Sequence, residues 1–411
     1  MKVVVFTHPL FVDSTSMPLF ARFVLDGLKR HGVEFQVLTA KAFFHRLPAP
    51  SRFKKWLGYI DQYLVFPWVA RWRTRSASPD TLFVFTDQAL GPWMPALARR
   101  PHVVHCHDFL AQRSARGEIP QNPVGRTGRI YQALIQRGFS HARHFICISS
   151  QTLNDLNRFH RRPSELQARV VLNGLNDTFA RLSRSEALAC LEAHDIALDD
   201  ALPFVLHVGG NQWYKHRDGV LAVYGAYAKA ATNPVPLVMV GAPPTELLRS
   251  LAAAAQAQGG RVHFLIRPPV EVLKALYSLA GALLFPSRAE GFGWPIAEAM
   301  ACGCPVLTTG IAPMTEVGGE VATYLPERGR DNEASWLAQC SEALLSVLQR
   351  SEAEQMHARL AAMQHARQFD AQRVFERYLA IYQDVLDDAL CRAQERVKRQ
   401  SAWASSVRSG P

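Results

Sequence analysis

The stretch Ala282–Gly310, ALLFPSRAEGFGWPIAEAMACGCPVLTTG, decides how this chain is read. Ala282 to Phe285 is a short apolar run of the length expected for a strand buried on both faces. Pro286 to Gly293 breaks that strand into a loop. Pro295 suits a first helical position, where its missing N–H has no partner to lose. Ile296–Ala301 are mostly good helix formers, and Gly303 supplies the stop. Pro305–Thr308 reads as a second buried strand. Strand, glycine loop, helix, strand is the repeating unit of a parallel α/β sheet.

The loop carries the chemistry. Gly291 and Gly293 let the backbone approach a ligand closely, and the unpaired N–H groups at the helix start favour an anion such as a diphosphate. Glu290 lies in the loop and Glu298 about one turn into the helix, so both carboxylates could face one ligand. Carboxylates only accept hydrogen bonds, which suits sugar and ribose hydroxyls. Taken alone, such a loop reads more simply as a Gly-Pro turn with a capping Glu and a solvated Glu.

The longer run Glu290-Gly-Phe-Gly-Trp-Pro-Ile-Ala-Glu298-Ala-Met-Ala-Cys-Gly-Cys-Pro-Val resembles the signature of the family-four retaining glycosyltransferases of GT-B fold. Ala312-Pro-Met-Thr-Glu-Val-Gly-Gly319 also resembles that family. The resemblance implies that Glu298 holds the nucleotide ribose and that Glu290 lies beside the donor sugar. Gly291, Phe292 and Gly293 then belong to the donor loop.

Length bounds the architecture. The chain has 411 residues, of which 48% are hydrophobic, enough for two domains. No apolar run is long enough to cross a membrane, and MKVVVFTHPLF reads as a first strand rather than a signal peptide. Seven scattered cysteines fit reduced thiols in a cytosol.

Strand-like runs recur at Val3–Phe6, Phe35–Leu38, Leu82–Phe85, Val103–His105, Phe145–Ile148 and Val170–Leu172. They recur again at Phe204–Val208, Leu237–Val240, Val262–Leu265, Leu283–Phe285, Val306–Thr308 and Thr323–Leu325. Helical stretches separate most of them, which predicts two doubly wound, Rossmann-like α/β domains. The expected division is an N-terminal domain over 1–175, a linker over 176–202 and a C-terminal nucleotide-sugar domain over 203–373. The resemblance adds that a terminal helix, about 374–411, crosses back to the first domain and that the domains face a central cleft. The tail from Arg392 is polar and expected to fray.

Ligands of open α/β sheets bind beyond the carboxyl ends of the strands. His8 and Pro9, His107 and Asp108, Gly209-Gly210-Asn211, and Glu290 all stand at such ends. Val208-Gly-Gly-Asn-Gln-Trp-Tyr-Lys215-His-Arg217 is a second glycine turn before a helix. Its lysine suits diphosphate oxygens, although a solvated Lys/Arg cluster at a helix start reads as well. By resemblance this is the family's diphosphate loop, with Lys215 its lysine. Many members place an arginine where Gly210 stands here; Arg217, or a polar contact from Asn211, is the expected replacement.

His105-Cys106-His107-Asp108 admits a metal reading, but no second His/Cys pair has zinc-site spacing. The resemblance instead places His107 near the donor sugar. No Asp-x-Asp occurs, and no metal or other cofactor is expected.

Charge is uneven. Residues 1–180 hold 24 of the 46 Lys and Arg but only 11 of the 35 Asp and Glu, a net charge of +13. Such a field favours an anionic partner. Phe43–Arg75 mixes Lys54, Lys55, Arg71, Arg73 and Arg75 with Phe53, Trp56, Trp68 and Trp72. A helix with a charged outer face is the simpler reading, and a peripheral contact with an anionic membrane is the alternative.

The resulting expectation is a metal-independent, retaining transfer of a sugar from a nucleotide-diphosphate-sugar donor to a saccharide or glycolipid hydroxyl. His107 and Glu290 would act at the sugar, and the leaving phosphate would assist the acceptor. The setting would be cytoplasmic, at the inner face of the membrane, in envelope polysaccharide or glycolipid synthesis, with no nucleic-acid partner. The rivals are a sugar-nucleotide epimerase or hydrolase on the same fold, and a non-catalytic nucleotide-binding partner protein.

Overall fold

A computed structural model describes residues 1–11, 16–175, 179–198, 203–329 and 332–408, with the side chains of 51, 52, 393, 394 and 396–408 left out. The chain divides into two compact units, one of residues 1–171 with 371–411 and one of residues 172–370. Of the expected linker, residues 176–178 and 199–202 lie outside the described residues. Within it, the helix Arg184–Glu192 opens on a Ser183–Glu186 capping box and buries Ala187 and Leu191 in the second unit.

The first unit holds β1 (Lys2–Phe6), β2 (Glu34–Leu38), β3 (Thr81–Phe85), β4 (His102–Cys106), β5 (His144–Cys147) and β6 (Gln167–Val170). They are all parallel, in the order β2-β1-β3-β4-β5-β6. The inner strands β1, β3, β4 and β5 are buried along most of their length because both faces of the sheet are covered, while the edge strands β2 and β6 are partly exposed. Alternate residues divide between two cores. Val4, Phe6, Phe83, Phe85, Val104 and Phe145 face Phe66, Trp93 and Phe139. Val3, Val5, Leu82, Val84, Val103 and Ile146 face Phe20, Val24 and the terminal helix.

That terminal helix, Ala371–Arg408, presents Val374, Tyr378, Ile381, Tyr382 and Val385 at helical spacing to the first sheet. His105 on β4 and the Tyr382 hydroxyl are hydrogen-bonded at 2.6 Å, fixing the helix to the sheet. The helical backbone continues to Arg408.

The second unit holds β7 (Val205–Gly209), β8 (Leu237–Gly241), β9 (Val262–Ile266), β10 (Ala282–Phe285), β11 (Val306–Thr309) and β12 (Thr323–Leu325). They form a parallel sheet in the order β12-β11-β10-β7-β8-β9. Trp294–Ala301 follows β10 as a helix. It closes with Gly303 N–H donating to Met300 C=O and Cys304 N–H to Ala299 C=O, a Schellman ending.

One strand is displaced from expectation. The apolar Val170–Leu172 run suggested β6, but the strand is Gln167–Val170. It pairs only with β5 at the sheet edge, so it carries polar, exposed residues. Val171 lies past its end, in the core.

The two strand orders differ in where they reverse. In the first unit the chain turns back at β1/β3, and in the second at β7/β10. An open α/β sheet forms its ligand crevice at such a reversal, outside the carboxyl ends of the strands.

Candidate active site

At the β7/β10 reversal, Gly209, Gly210 and Asn211 leave β7 and Glu290 follows β10. The Lys215 Nζ donates to both Glu290 oxygens, at 2.8 and 3.0 Å. Side-chain exposures of 16% and 7% make this a largely buried ion pair. It is held from both sides, since Arg288 N–H donates to Tyr214 C=O at 2.8 Å and joins the two loops. An ammonium has three donors, so one remains beyond the two that Glu290 occupies.

Under the glycine loop lies His207, fully buried, in hydrogen-bond contact with Leu284 C=O at 2.9 Å. Burial pushes its imidazole down to about 3, despite that bond, so it stays neutral beside Lys215 and Arg217. Arg217 is itself buried. It donates to the Asn211 side chain and to Ala242 C=O, while the Asn211 amide donates to Pro243 C=O at 2.9 Å. These bonds tie the Gly209–Asn211 loop to the turn after β8. Gly241, at φ +146°, is required there: a Cβ would lie 2.0 Å from Gly209 C=O.

The helix Trp294–Ala301 starts from Gly293 at φ +103°. Phe292 is buried against Phe369. Glu298, one turn in and partly exposed, accepts from the Tyr277 hydroxyl at 2.9 Å. Burial, then the Glu298 charge, holds the Tyr277 phenol far above its ordinary value, so Tyr277 remains a donor.

A second feature of this unit has no counterpart in the sequence reading. His216 adopts left-handed backbone, φ 51°, and caps the helix Arg217–Ala230. Its Nε2 accepts from Arg288 at 2.9 Å and Arg328 at 3.0 Å. Burial and the Arg288 charge push it down to about 4, which keeps that nitrogen an acceptor.

At the β1/β3 reversal in the first unit, the Thr86 N–H and hydroxyl both donate to Phe6 C=O, at 3.0 and 2.9 Å. They hold the two strand ends together. His8 Nε2 and Asp87 Oδ2 meet at 2.8 Å across the reversal. Asp87 Oδ1 accepts from Ala89 N–H at 2.9 Å. Burial pushes the Asp87 carboxyl up, but the His8 bond and the nearby His8 and His107 charges outweigh it and hold the group below its usual range.

His107, just past β4, is buried and donates through Nε2 to Thr86 C=O at 2.8 Å; its own N–H donates to the Gln88 side chain. Burial lowers its imidazole, opposed by the Asp87 charge. His105 points into the terminal-helix core, with the Phe20 ring 5.1 Å from it and 4.4 Å from His107. Among the described residues no three His, Cys, Asp or Glu side chains are grouped as metal donors.

Two family models match this chain: Glycosyltransferase Family 4 over residues 20–179, and Glycosyl transferases group 1 over residues 192–334. The chain belongs to the family-four, group 1 glycosyltransferases. This family member is 26% identical over 194 residues to O-antigen chain mannosyltransferase B of Escherichia coli, a match spanning 47% of this chain and half of that protein. It is 28% identical over 323 residues to D-inositol 3-phosphate glycosyltransferase of Mycobacterium sp. strain KMS, covering 75% and 68% of the two chains. Among solved structures, WaaG, a glycosyltransferase involved in lipopolysaccharide biosynthesis, superposes with TM-score 0.65 at 16% identity over 92% of this chain and 99% of its own. Anabaena HepE in complex with UDP and glucose gives 0.61 at 18%, over 92% and 98%. At these identities the structures show the fold: GT-B, two Rossmann-like units in one chain.

Lys215, Glu290, Asn211 and the two glycines thus gather at one reversal, with Glu298 on the adjoining helix. Arg217 is placed behind its loop, bracing it. Asp87, Tyr277, His216 and Arg328 were not found from sequence. Asp87 carried a usable signal, because Thr86-Asp87 ends β3 as His8 ends β1 and His107 ends β4.

Proposed function

We propose that this family-four glycosyltransferase moves a sugar from a nucleotide-diphosphate-sugar donor to a hydroxyl of a saccharide or glycolipid, with retention at the anomeric carbon and without a divalent metal. The observation that carries the reading is the buried Lys215–Glu290 pair at the reversal of a Rossmann-order sheet, beside a helix start. Lys215, with its remaining donor, and the first N–H groups of the Trp294–Ala301 helix would stabilise the departing diphosphate, where negative charge develops. Glu298 would accept from the ribose hydroxyls. Glu290, with its carboxylate held by Lys215, would accept from the sugar, and His107 is the further residue expected at the sugar. Both relatives, by their names an O-antigen chain mannosyltransferase and a D-inositol 3-phosphate glycosyltransferase, support the reaction class, and the name of the first supports a saccharide-chain acceptor.

A membrane-borne acceptor at the inner face is the setting we favour. Between β2 and β3, the helices Ser51–Ile60 and Phe66–Thr74 are joined by a π-helical turn, Asp61–Val65. Trp56, Leu64, Trp68 and Trp72 are exposed there, Trp68 by 76%. Asp61 is the sole acid between Lys41 and Arg75. Its carboxylate is buried, accepting from the Phe43, Phe44 and His45 N–H groups. The exposed charge of the excursion is therefore positive, and indole rings among cations suit an anionic lipid surface.

The experiment is a thermal-shift panel of UDP, GDP, ADP, CMP and dTDP without metal, on the wild type and Glu298→Ala. A nucleoside diphosphate at about 100 times its Kd should add about 2.7 kcal/mol to the wild type, and markedly less to the variant. Stabilisation that appears only with added divalent metal would sink the metal-independent reading. Equal stabilisation of wild type and Glu298→Ala would remove Glu298 from the site.

A further inference from the structure

The first unit concentrates positive charge at the amino ends of its strands, away from the carboxyl ends where His8, Asp87 and His107 stand. An open cleft of about 810 Å³ lies there between the starts of β4 and β5 and the terminal helix. Arg99 and Arg100 line it from the segment before β4, Arg143 and His144 from the start of β5, and Asp388 and Arg392 from the helix. Four arginines against one aspartate leave a net charge of +3. We propose that this cleft, built wholly from residues of the first unit, binds a multiply phosphorylated anion, carried by a free polyphosphate or by lipid headgroups.

A buried histidine clamps the arginine-bearing segments together. His102 Nδ1–H donates to Arg100 C=O at 2.7 Å, and its Nε2 accepts from Arg143 N–H at 3.0 Å. Burial pushes that imidazole down to about 4, so the neutral ring that makes both bonds persists through neutral pH. Arg100 is held further. Its Nη2 donates to Ala77 and Ser78 C=O, at 2.7 and 3.0 Å, and its guanidinium lies 5.2 Å from the Phe83 ring centre. A guanidinium ordered in advance loses little freedom on binding and meets phosphate oxygens in pairs.

The cations that lack an acid point to the ligand. Arg169, on the neighbouring β6, is bonded to Asp384 at 2.6 Å, and Arg392 donates through Nε to Asp388 at 3.0 Å. Among the described residues the Arg99 and Arg143 guanidiniums bond no protein group. His144 registers the resulting field. Burial, and then the Arg392, Arg143 and Arg169 charges, push its imidazole down to about 4 against the pull of Asp388. An added positive charge is disfavoured there, and an anion is the complement. One phosphomonoester brings about two negative charges, so the net +3 is matched by more than one phosphate. Ala77 and Ser78 follow the helix Phe66–Thr74 closely, so the cleft adjoins the end of the basic aromatic excursion. That position makes headgroups one of the two sources.

The test uses the full chain and reads the His144 ring signal by NMR, assigned with His144→Gln, as inorganic diphosphate is added at constant ionic strength. The wild type should give a saturable shift. Arg99→Gln with Arg143→Gln should weaken that binding about 100-fold, tenfold for each guanidinium, and leave melting unchanged, since both side chains are exposed. An equal response in wild type and double variant places the diphosphate elsewhere and overturns the proposal. If diphosphate leaves His144 unmoved, the same signal is followed with bicelles containing phosphatidylglycerol. A shift that the double variant lacks then assigns the cleft to headgroups. A His144 signal unmoved by diphosphate and by those bicelles also overturns the proposal.

Discussion

The two sheet reversals of this molecule occupy equivalent topological places and are built from sequence in opposite ways. At β7/β10, Lys215, Glu290 and Glu298 lie on two motifs, each a glycine turn leading into a helix. At β1/β3, His8, Asp87 and His107 come from three separate strand ends, with no motif joining them. The first couple is a lysine–glutamate ion pair; the second contains a histidine. On the reading proposed above, donor binding uses only the β7/β10 couple.

The largest effect should come from Lys215→Ala. It leaves Glu290 nearly buried without its counter-charge, a cost of about 3 kcal/mol in stability, and should lower turnover about 100- to 1000-fold. Asp87→Asn should leave nucleoside-diphosphate affinity intact. If thermal shift shows equal loss of nucleotide binding in both variants, the division between the two reversals collapses.

The units also differ at their surfaces, since the basic aromatic excursion belongs only to the first. Arg71→Gln with Arg73→Gln should weaken partitioning onto vesicles containing anionic lipid by about thirty-fold, at about 1 kcal/mol per cation. Binding to neutral vesicles should hardly change. Identical partitioning of variant and wild type on anionic vesicles would end the membrane reading.

A smaller contrast concerns tyrosine hydroxyls. Tyr382→Phe leaves the buried His105 ring without the one hydrogen bond it makes among the described residues and should cost about 1.5 kcal/mol, read from the urea midpoint. Tyr277→Phe should cost less, about 1 kcal/mol, because Glu298 keeps access to water. Equal costs would show that Glu298 is as dependent on protein donors as His105.

The smallest effect is a pH slope. Burial pushes His102 down to about 4 in the first unit and His207 to about 3 in the second. A histidine with a lowered pKa in the folded state binds fewer protons than in the unfolded chain. Its stabilising effect is complete above about pH 6.5 and is lost as pH falls toward those values. Each should contribute about 1.4 kcal/mol per pH unit across that window. His102→Gln should flatten the slope of unfolding free energy between pH 6 and pH 4.5 by about that amount. An unchanged slope would mean that His102 titrates normally.

Legibility followed the same division. The inner strands were visible because parallel strands buried on both faces read as uninterrupted apolar runs. The edge strands β2, β9 and β12 are partly exposed but still carry the apolar residues Phe35, Val37 and Leu38, Val262, Phe264 and Leu265, and Tyr324 and Leu325. β6, Gln167–Val170, was misplaced because it is polar and exposed and the apolar run beside it belonged to the core past its end. Glu290, Glu298 and Lys215 were visible because a glycine turn before a helix is a local arrangement. The bonds they make were not. That Lys215 meets Glu290, 75 positions away, is set by which strands are neighbours.

The sequence by itself determined the doubly wound class, the glycine loops, the helix starts and the charge imbalance, since each depends on residues within a few positions of one another. Only the tertiary structure decided the strand orders, and with them where each sheet reverses. It thereby decided that Asp87 backs His8, that His107 is backed by a carbonyl, and that Arg217 lies behind its loop. Hydrogen bonds between strand ends depend on chain crossing, which local propensity does not encode.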